Sequence, residues 1–149
     1  MKRIRKELAR FNTAQETGQF GWLKMSVSDD LYNHEVEIIG PKGSPYEGVI
    51  IKFHTKLPPS YPFNSPNISL VSNIIHPNVE SETNSFCKNL IIGNWKATNK
   101  IINCYERIYN LLSVPSPESP LNLELGRLYG TNITEYNKVV KQHCDVYCK

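Results

Sequence analysis

The sequence predicts an α+β fold: an N-terminal helix, a four-stranded antiparallel meander sheet, a structured segment suited to an active site, and C-terminal helices. Three observations carry that prediction. Apolar residues recur at helical spacing at both ends of the chain. Between them lie four β-rich stretches whose links are too short for crossover helices. A long aperiodic run with its own apolar anchors separates the strands from the last helices.

The first helix is read from Ile4, Leu8 and Phe11, with Lys2, Arg3, Arg5, Lys6 and Arg10 on its other sides. Gly18 and Gly21 end it. Trp22 to Val27 partly alternates and is followed by the turn residues Ser28-Asp29-Asp30. Asn33 to Ile39 alternates again, with Val36, Ile38 and Ile39 as strand formers. Gly40 to Gly48 is dense in turn residues and reads as a loop. Val49 to His54 is β-rich and should pair antiparallel with the strand before it. After the proline-laden stretch Leu57 to Pro66, Asn67 to Val71 makes the fourth strand.

From Ser72 to about Thr98 no period survives. Unstructured runs longer than ~12–15 residues are uncommon in compact domains and are usually functional or disordered. Ile74, Ile75, Phe86, Leu90, Ile91, Ile92 and Trp95 argue against disorder, so the chemistry is expected here. Asn99 to Leu112 then reads as a helix with Ile101, Cys104, Tyr105, Ile108, Leu111 and Leu112 on one side. Asn103, Glu106, Arg107 and Asn110 occupy the other. Closely spaced prolines break the helix between Val114 and Pro120. A short helix follows over Leu121 to Tyr129, and Thr131 or Asn132 caps a last one reaching past Val146.

At 149 residues the chain fits one domain, 1–149, large enough to hold a core without staples. A net charge of +3 is too small to argue for nucleic acid, which needs a concentrated basic patch. No window has the apolar length of a membrane span, and the charged stretch Met1 to Phe11 is unlike a secretory signal. The expectation is a cytoplasmic or nuclear protein whose four cysteines are thiols. Cys104 falls on the apolar stripe of its helix and reads as core. Cys144 and Cys148, one turn apart beside His143, lack the further ligands that a metal site requires, so no metal is expected. Cys87 stands among polar neighbours in the irregular segment. A hydrolase built on it would need one of His34, His54, His76 or His143 as base, and nothing in the spacing recommends one. Taken alone, His76 reads as a structural histidine bonded to neighbouring backbone.

Gly40-Pro41 with Pro45-Tyr46-Glu47-Gly48, Tyr61-Pro62-Phe63 with Pro66, His76-Pro77-Asn78, Cys87, Trp95, and Pro117-Glu118-Ser119-Pro120-Leu121 occur in one order and register. Over nearly the whole chain this pattern resembles the ubiquitin-conjugating enzymes, whose fold matches the layout above. The resemblance implies that Cys87 accepts ubiquitin, or a ubiquitin-like protein, as a thioester from an activating enzyme and passes it to lysine amines of protein substrates. It implies a monomer that needs no cofactor of its own, since the activating enzyme consumes the ATP. Asn78 matches the family asparagine credited with supporting the oxyanion or the loop around it. Asn89, Glu118, Ser119 and Leu121 fall on the rim of the acceptor channel. Lys2, Arg3, Arg5 and Lys6 match a basic helix offered to the activating enzyme and in part to RING-type ligases. Phe63, Ala97 and Thr98 fall on the ligase-contact loops.

The departures are specific. Eight residues separate Asn78 from Cys87, one more than is common, so the loop Glu80 to Asn84 should bulge. Asn89 and Ser119 stand where aspartates are frequent, which leaves Glu118 as the nearest acid and shifts lysine deprotonation toward desolvation or the substrate. Ser119-Pro120 also suggests a proline-directed phosphorylation site that would restore negative charge. Asparagine at the Asn89 position also occurs in the conjugating enzyme for the modifier NEDD8, the alternative cargo. Glu106 replaces a leucine that commonly holds the donor ubiquitin closed, and Trp95-Lys96-Ala97-Thr98 stands where Ser-Pro-Ala commonly follows the tryptophan. The rival readings are a non-catalytic ubiquitin-binding variant of the fold, and an unrelated thiol hydrolase.

Overall fold

The computed structural model describes residues 2–117 and 120–148. Helix α1 (Lys2–Glu16) buries Ile4 and Phe11 and turns Lys2, Arg5 and Lys6 to solvent. Strands β1 (Leu23–Val27), β2 (Asn33–Ile39), β3 (Ile50–Lys56) and β4 (Asn67–Leu70) follow. They form an antiparallel meander in the order β1-β2-β3-β4. The period-2 alternation sends His34, Val36 and Ile38 of β2 inward, opposite Thr55, Phe53 and Ile51 of β3. Ile39, expected as a strand former, ends its strand on the outer face and is half-exposed.

Helix α3 (Ile101–Ser113) covers the inner face. Its Tyr105 ring stands edge-on to Phe53 with centroids 5.8 Å apart, and its hydroxyl meets Thr55 Oγ1. One turn on, Tyr109 stacks on Trp22 at 4.1 Å. The β2–β3 loop folds back at Gly40, where any Cβ would lie 1.8 Å from the Tyr46 carbonyl oxygen. Only glycine permits that approach. It buries Tyr46, whose hydroxyl donates to the Ile75 carbonyl at 2.5 Å and so fixes the start of the irregular segment.

That segment holds three elements which the sequence pattern does not announce. β5 (Val79–Glu80) and β6 (Ser85–Phe86) pair as a hairpin, burying Val79 against Phe86. The four-residue helix α2 (Lys88–Ile91) comes next. Two-residue strands and a single helical turn are too short to show a period. Helix α3 starts at 101 rather than 99 because Asn99 and Asn103 accept from the Lys96 and Lys100 amides at 2.8 and 2.9 Å, turning the chain first. Helix α4 (Leu123–Thr131) likewise starts later than predicted, behind Asn122, which accepts from the Leu125 amide at 3.1 Å. Of the two candidate caps for helix α5 (Ile133–Tyr147), Asn132 fills the position and accepts from the Glu135 amide at 3.1 Å.

Among the described residues no helix is long and apolar enough to cross a membrane. Cys104 is buried in the core, and burial raises its pKa to about 11. Burial likewise raises Cys144 to about 12, while the Cys148 thiol donates to the Asn73 carbonyl at 3.1 Å.

Candidate active site

Cys87 is half-buried between β6 and α2. Its amide donates to the Asn78 carbonyl at 2.9 Å, so the hairpin carries the two residues together by their backbones. Its carbonyl accepts from the Leu90 amide at 3.0 Å and the Ile91 amide at 3.4 Å, which hangs α2 directly on the cysteine. The far end of α2 is held by Arg107 of α3, whose Nη1 donates to the Ile91 and Ile92 carbonyls at 3.3 and 2.9 Å. On sequence pattern Arg107 belongs to a polar helix face; in the fold it satisfies carbonyls that a helix end leaves open.

His76 fastens the last turn of α3, while Asn78 and Pro77 fasten the segment after it at its middle and its end. The His76 Nε2–H donates to the Leu111 carbonyl at 2.6 Å, and its bare Nδ1 accepts from the Asn78 amide at 2.9 Å. Both ring nitrogens are therefore engaged in the neutral form, and burial lowers the pKa to about 4. The Pro77 carbonyl accepts from the Leu121 amide at 2.8 Å and the Asn122 amide at 3.0 Å. Asn78 is fully buried. Its Nδ2 donates to the Ser116 carbonyl at 3.0 Å while its Oδ1 accepts from the Ser116 amide at 2.9 Å. An aspartate could not reproduce that pairing, because an ionised carboxylate has no donor. This pairing agrees with the loop-supporting one of the two roles expected for Asn78. No feature of the sequence pattern singles out Ser116, which takes part through its backbone.

Of the residues expected on the acceptor rim, Asn89 is exposed on α2 and Leu121 is 43% exposed. Glu118 and Ser119, with the phosphorylation reading attached to Ser119, lie outside the described residues. The expected bulge takes the form of the β5–β6 turn: Ser81, Glu82 and Thr83 are exposed, and Asn84 adopts φ +52°. The Asn84 Nδ2 donates to the Ser72 carbonyl at 3.0 Å and ties the turn to the end of β4. Glu106 is half-buried on α3 and accepts from Asn103 Nδ2 at 3.3 Å.

The imidazoles are engaged elsewhere. His34 is walled into the core and bonds the Leu31 carbonyl, His54 lies between Glu35 and Asn33, and His143 meets Asn73. Among the described residues, no group of three or more histidines, cysteines or acids gathers to hold a metal ion.

The expected partner surface is only partly free. Phe63 is 80% exposed, just after the cis Tyr61–Pro62 bond. Lys2, Arg5, Lys6 and Thr98 are exposed too. Arg3 differs from its neighbours: Nη1 and Nη2 donate to the Ala97 and Asn99 carbonyls, each at 2.6 Å, and Nε donates to Glu7 at 3.2 Å. These bonds order its guanidinium while its side chain stays 31% exposed, and Ala97 is half-buried. Helical spacing could not separate Arg3 from Lys2 and Arg5, because its carbonyl partners come from the other half of the chain.

Residues 3–144 match the family described as ubiquitin-conjugating enzyme. The chain is 35% identical over 124 residues to "Ubiquitin-conjugating enzyme E2 5" of Arabidopsis thaliana, covering 83% of this chain and 67% of that one. It is 34% identical over 122 residues to "Ubiquitin-conjugating enzyme E2-24 kDa" of Saccharomyces cerevisiae, covering 81% of this chain and 56% of that one. Among solved structures, the E2 domain of a Toxoplasma gondii ubiquitin conjugating enzyme superposes with a TM-score of 0.81 at 27% identity, covering 99% of each chain.

Proposed function

The chain belongs to the ubiquitin-conjugating enzyme family, whose members carry ubiquitin as a cysteine thioester, and we propose that Cys87 is the sulfur that does so in this molecule. In the loading step the Cys87 thiolate attacks the thioester carbonyl held on the activating enzyme. That enzyme's thiolate leaves, so one thioester breaks as another forms. Exchange between thiols is nearly isoenergetic and needs access and alignment, not a proton relay. The ATP is consumed by the activating enzyme, and Cys87 needs no cofactor. A reducing compartment, cytoplasm or nucleus, suits such a thiol.

In the second step a substrate lysine amine attacks the thioester carbonyl, the Cys87 thiolate leaves, and the amine loses a proton. Asn89 supplies an amide where an acid would accept that proton, so desolvation of the incoming lysine, or a substrate group, carries the deprotonation. Asn78 supports the step by holding Ser116, and with it the segment bordering the thioester, in one position. Leu121 at the end of that segment and Asn89 on α2 form the described part of the acceptor rim. Lys2, Arg5 and Lys6 meet the activating enzyme, and Phe63 with Thr98 meets RING-type ligases.

The observation that carries this reading is the half-buried Cys87 just after a hairpin entered through His76, Pro77 and Asn78, which hold the last turn of α3 and two points of the segment that follows it. Incubation with activating enzyme, ATP and ubiquitin should give a reductant-sensitive adduct that Cys87→Ala abolishes and Cys87→Ser converts to a stable oxyester. Cargo is decided by running each modifier, ubiquitin or NEDD8, with its own activating enzyme. A chain that loads neither is the non-catalytic variant, and one that cleaves conjugates without ATP is a hydrolase.

A further inference from the structure

Three segments far apart in sequence meet on one carboxylate. Glu7 projects from α1 with its side chain 7% exposed. Its Oε1 accepts from the backbone amide of Ile101, the first residue of α3, at 2.6 Å. Its Oε2 accepts from the Tyr61 hydroxyl at 2.6 Å and from Arg3 Nε at 3.2 Å. Arg3 in turn holds the Ala97 and Asn99 carbonyls, and its guanidinium carbon lies 5.8 Å from the centre of the Tyr61 ring. Trp95 completes the assembly, its Nε1–H donating to the Pro62 carbonyl at 2.7 Å.

A carboxylate suits this position because it offers acceptors only, and three donors converge on it. Burial first, then the bond to Glu7, pushes the Tyr61 phenol well above its ordinary pKa, so its hydroxyl remains a donor at neutral pH. Without Glu7 the Ile101 amide and the Tyr61 hydroxyl would be left buried and unpaired. The exposed residues assigned to partners all stand close to this network. Lys2, Arg5 and Lys6 flank Arg3 and Glu7, Phe63 lies two residues beyond Tyr61, and Thr98 adjoins Ala97.

We propose that Glu7 is a positioning residue for the partner-binding face, holding α1, the Tyr61–Phe63 loop and the Trp95–Lys100 loop at fixed mutual spacing through its buried carboxylate. The proposal rests on the reading of this face as the one that meets the activating enzyme and ligases. A face ordered before contact avoids the ordering cost that a flexible one meets on binding.

Hydrogen–deuterium exchange on the full chain tests it, comparing wild type with Glu7→Gln and Tyr61→Phe. Any orientation of the Gln amide turns its NH2 against at least one of the three donors. Peptides spanning 60–64 and 95–100 should exchange about tenfold faster in Glu7→Gln, with β2, β3 and the β5–β6 hairpin unchanged. Tyr61→Phe, the milder change, should accelerate only 60–64. Loading of Cys87 should show a KM for activating enzyme raised about fivefold in Glu7→Gln with kcat unchanged, a split that a merely structural role would not give. Unchanged loops in both variants, or acceleration spread evenly over the sheet, would overturn the proposal and leave Glu7 a core staple. Thioester formation on wild-type Cys87 is run alongside. If it fails, the conjugating reading falls, while the exchange pattern still judges the carboxylate.

Discussion

Asn78 pairs with both backbone polar groups of Ser116 because a carboxamide carries a donor and an acceptor side by side. This gives its role a signature distinct from direct stabilisation of an oxyanion, whose loss typically costs about 10²–10³ in rate. Asn78→Ala should leave thioester loading intact and slow lysine discharge by less than about 10²-fold, with faster amide exchange at Ser116. Single-turnover discharge and exchange on the same variant check this. A larger loss with Ser116 exchange unchanged would assign the oxyanion role to Asn78. The residue was legible in the sequence through the His76-Pro77-Asn78 run. Its partner was not, since a backbone contact 38 positions away leaves no trace in side-chain pattern.

Helix α2 shows the same limit one level up. Four residues cannot display amphipathic periodicity, and an isolated turn is unstable because its nucleus is costly. It exists because Cys87 supplies the carbonyl at its start and Arg107 takes the carbonyls at its end. Arg107→Ala should therefore loosen α2, giving faster exchange at the Leu90, Ile91 and Ile92 amides with α3 itself unchanged. Since Arg107 is exposed, the expected stability loss is modest, about 1 kcal/mol by urea denaturation. The longer elements behave differently. The four strands of the meander and the first, third and last helices each span enough residues for alternation or helical spacing to be read directly, with ends displaced by a residue or two.

At the scale of the molecule, the buried neutral histidine that fastens the last turn of α3 couples folding to pH. His76 has a folded pKa of about 4 against an ordinary 6.5, so between those values the unfolded chain binds a proton that the folded chain excludes. Stability is full above about pH 6.5 and falls as pH drops toward 4, by about 3 kcal/mol from this group. Burial lowers His34 in the same direction. Urea unfolding from pH 4 to 7 should show this slope in wild type and a shallower one in His76→Gln; equal slopes would mean that His76 takes up its proton without loss. The sequence by itself determined the α+β layout, the apolar faces of the longer elements and the identity of the candidate nucleophile. Strand alternation, helical spacing and the Cys87 motif set are local patterns along the chain, and local patterns survive in one dimension. Only the tertiary structure decided that Asn78 grips Ser116, that Arg3 donates to the Ala97 and Asn99 carbonyls, and that Glu7 ties Tyr61 and the start of α3 to α1. Each of those choices depends on which donor meets which acceptor across dozens of intervening residues, and that is settled by packing in three dimensions.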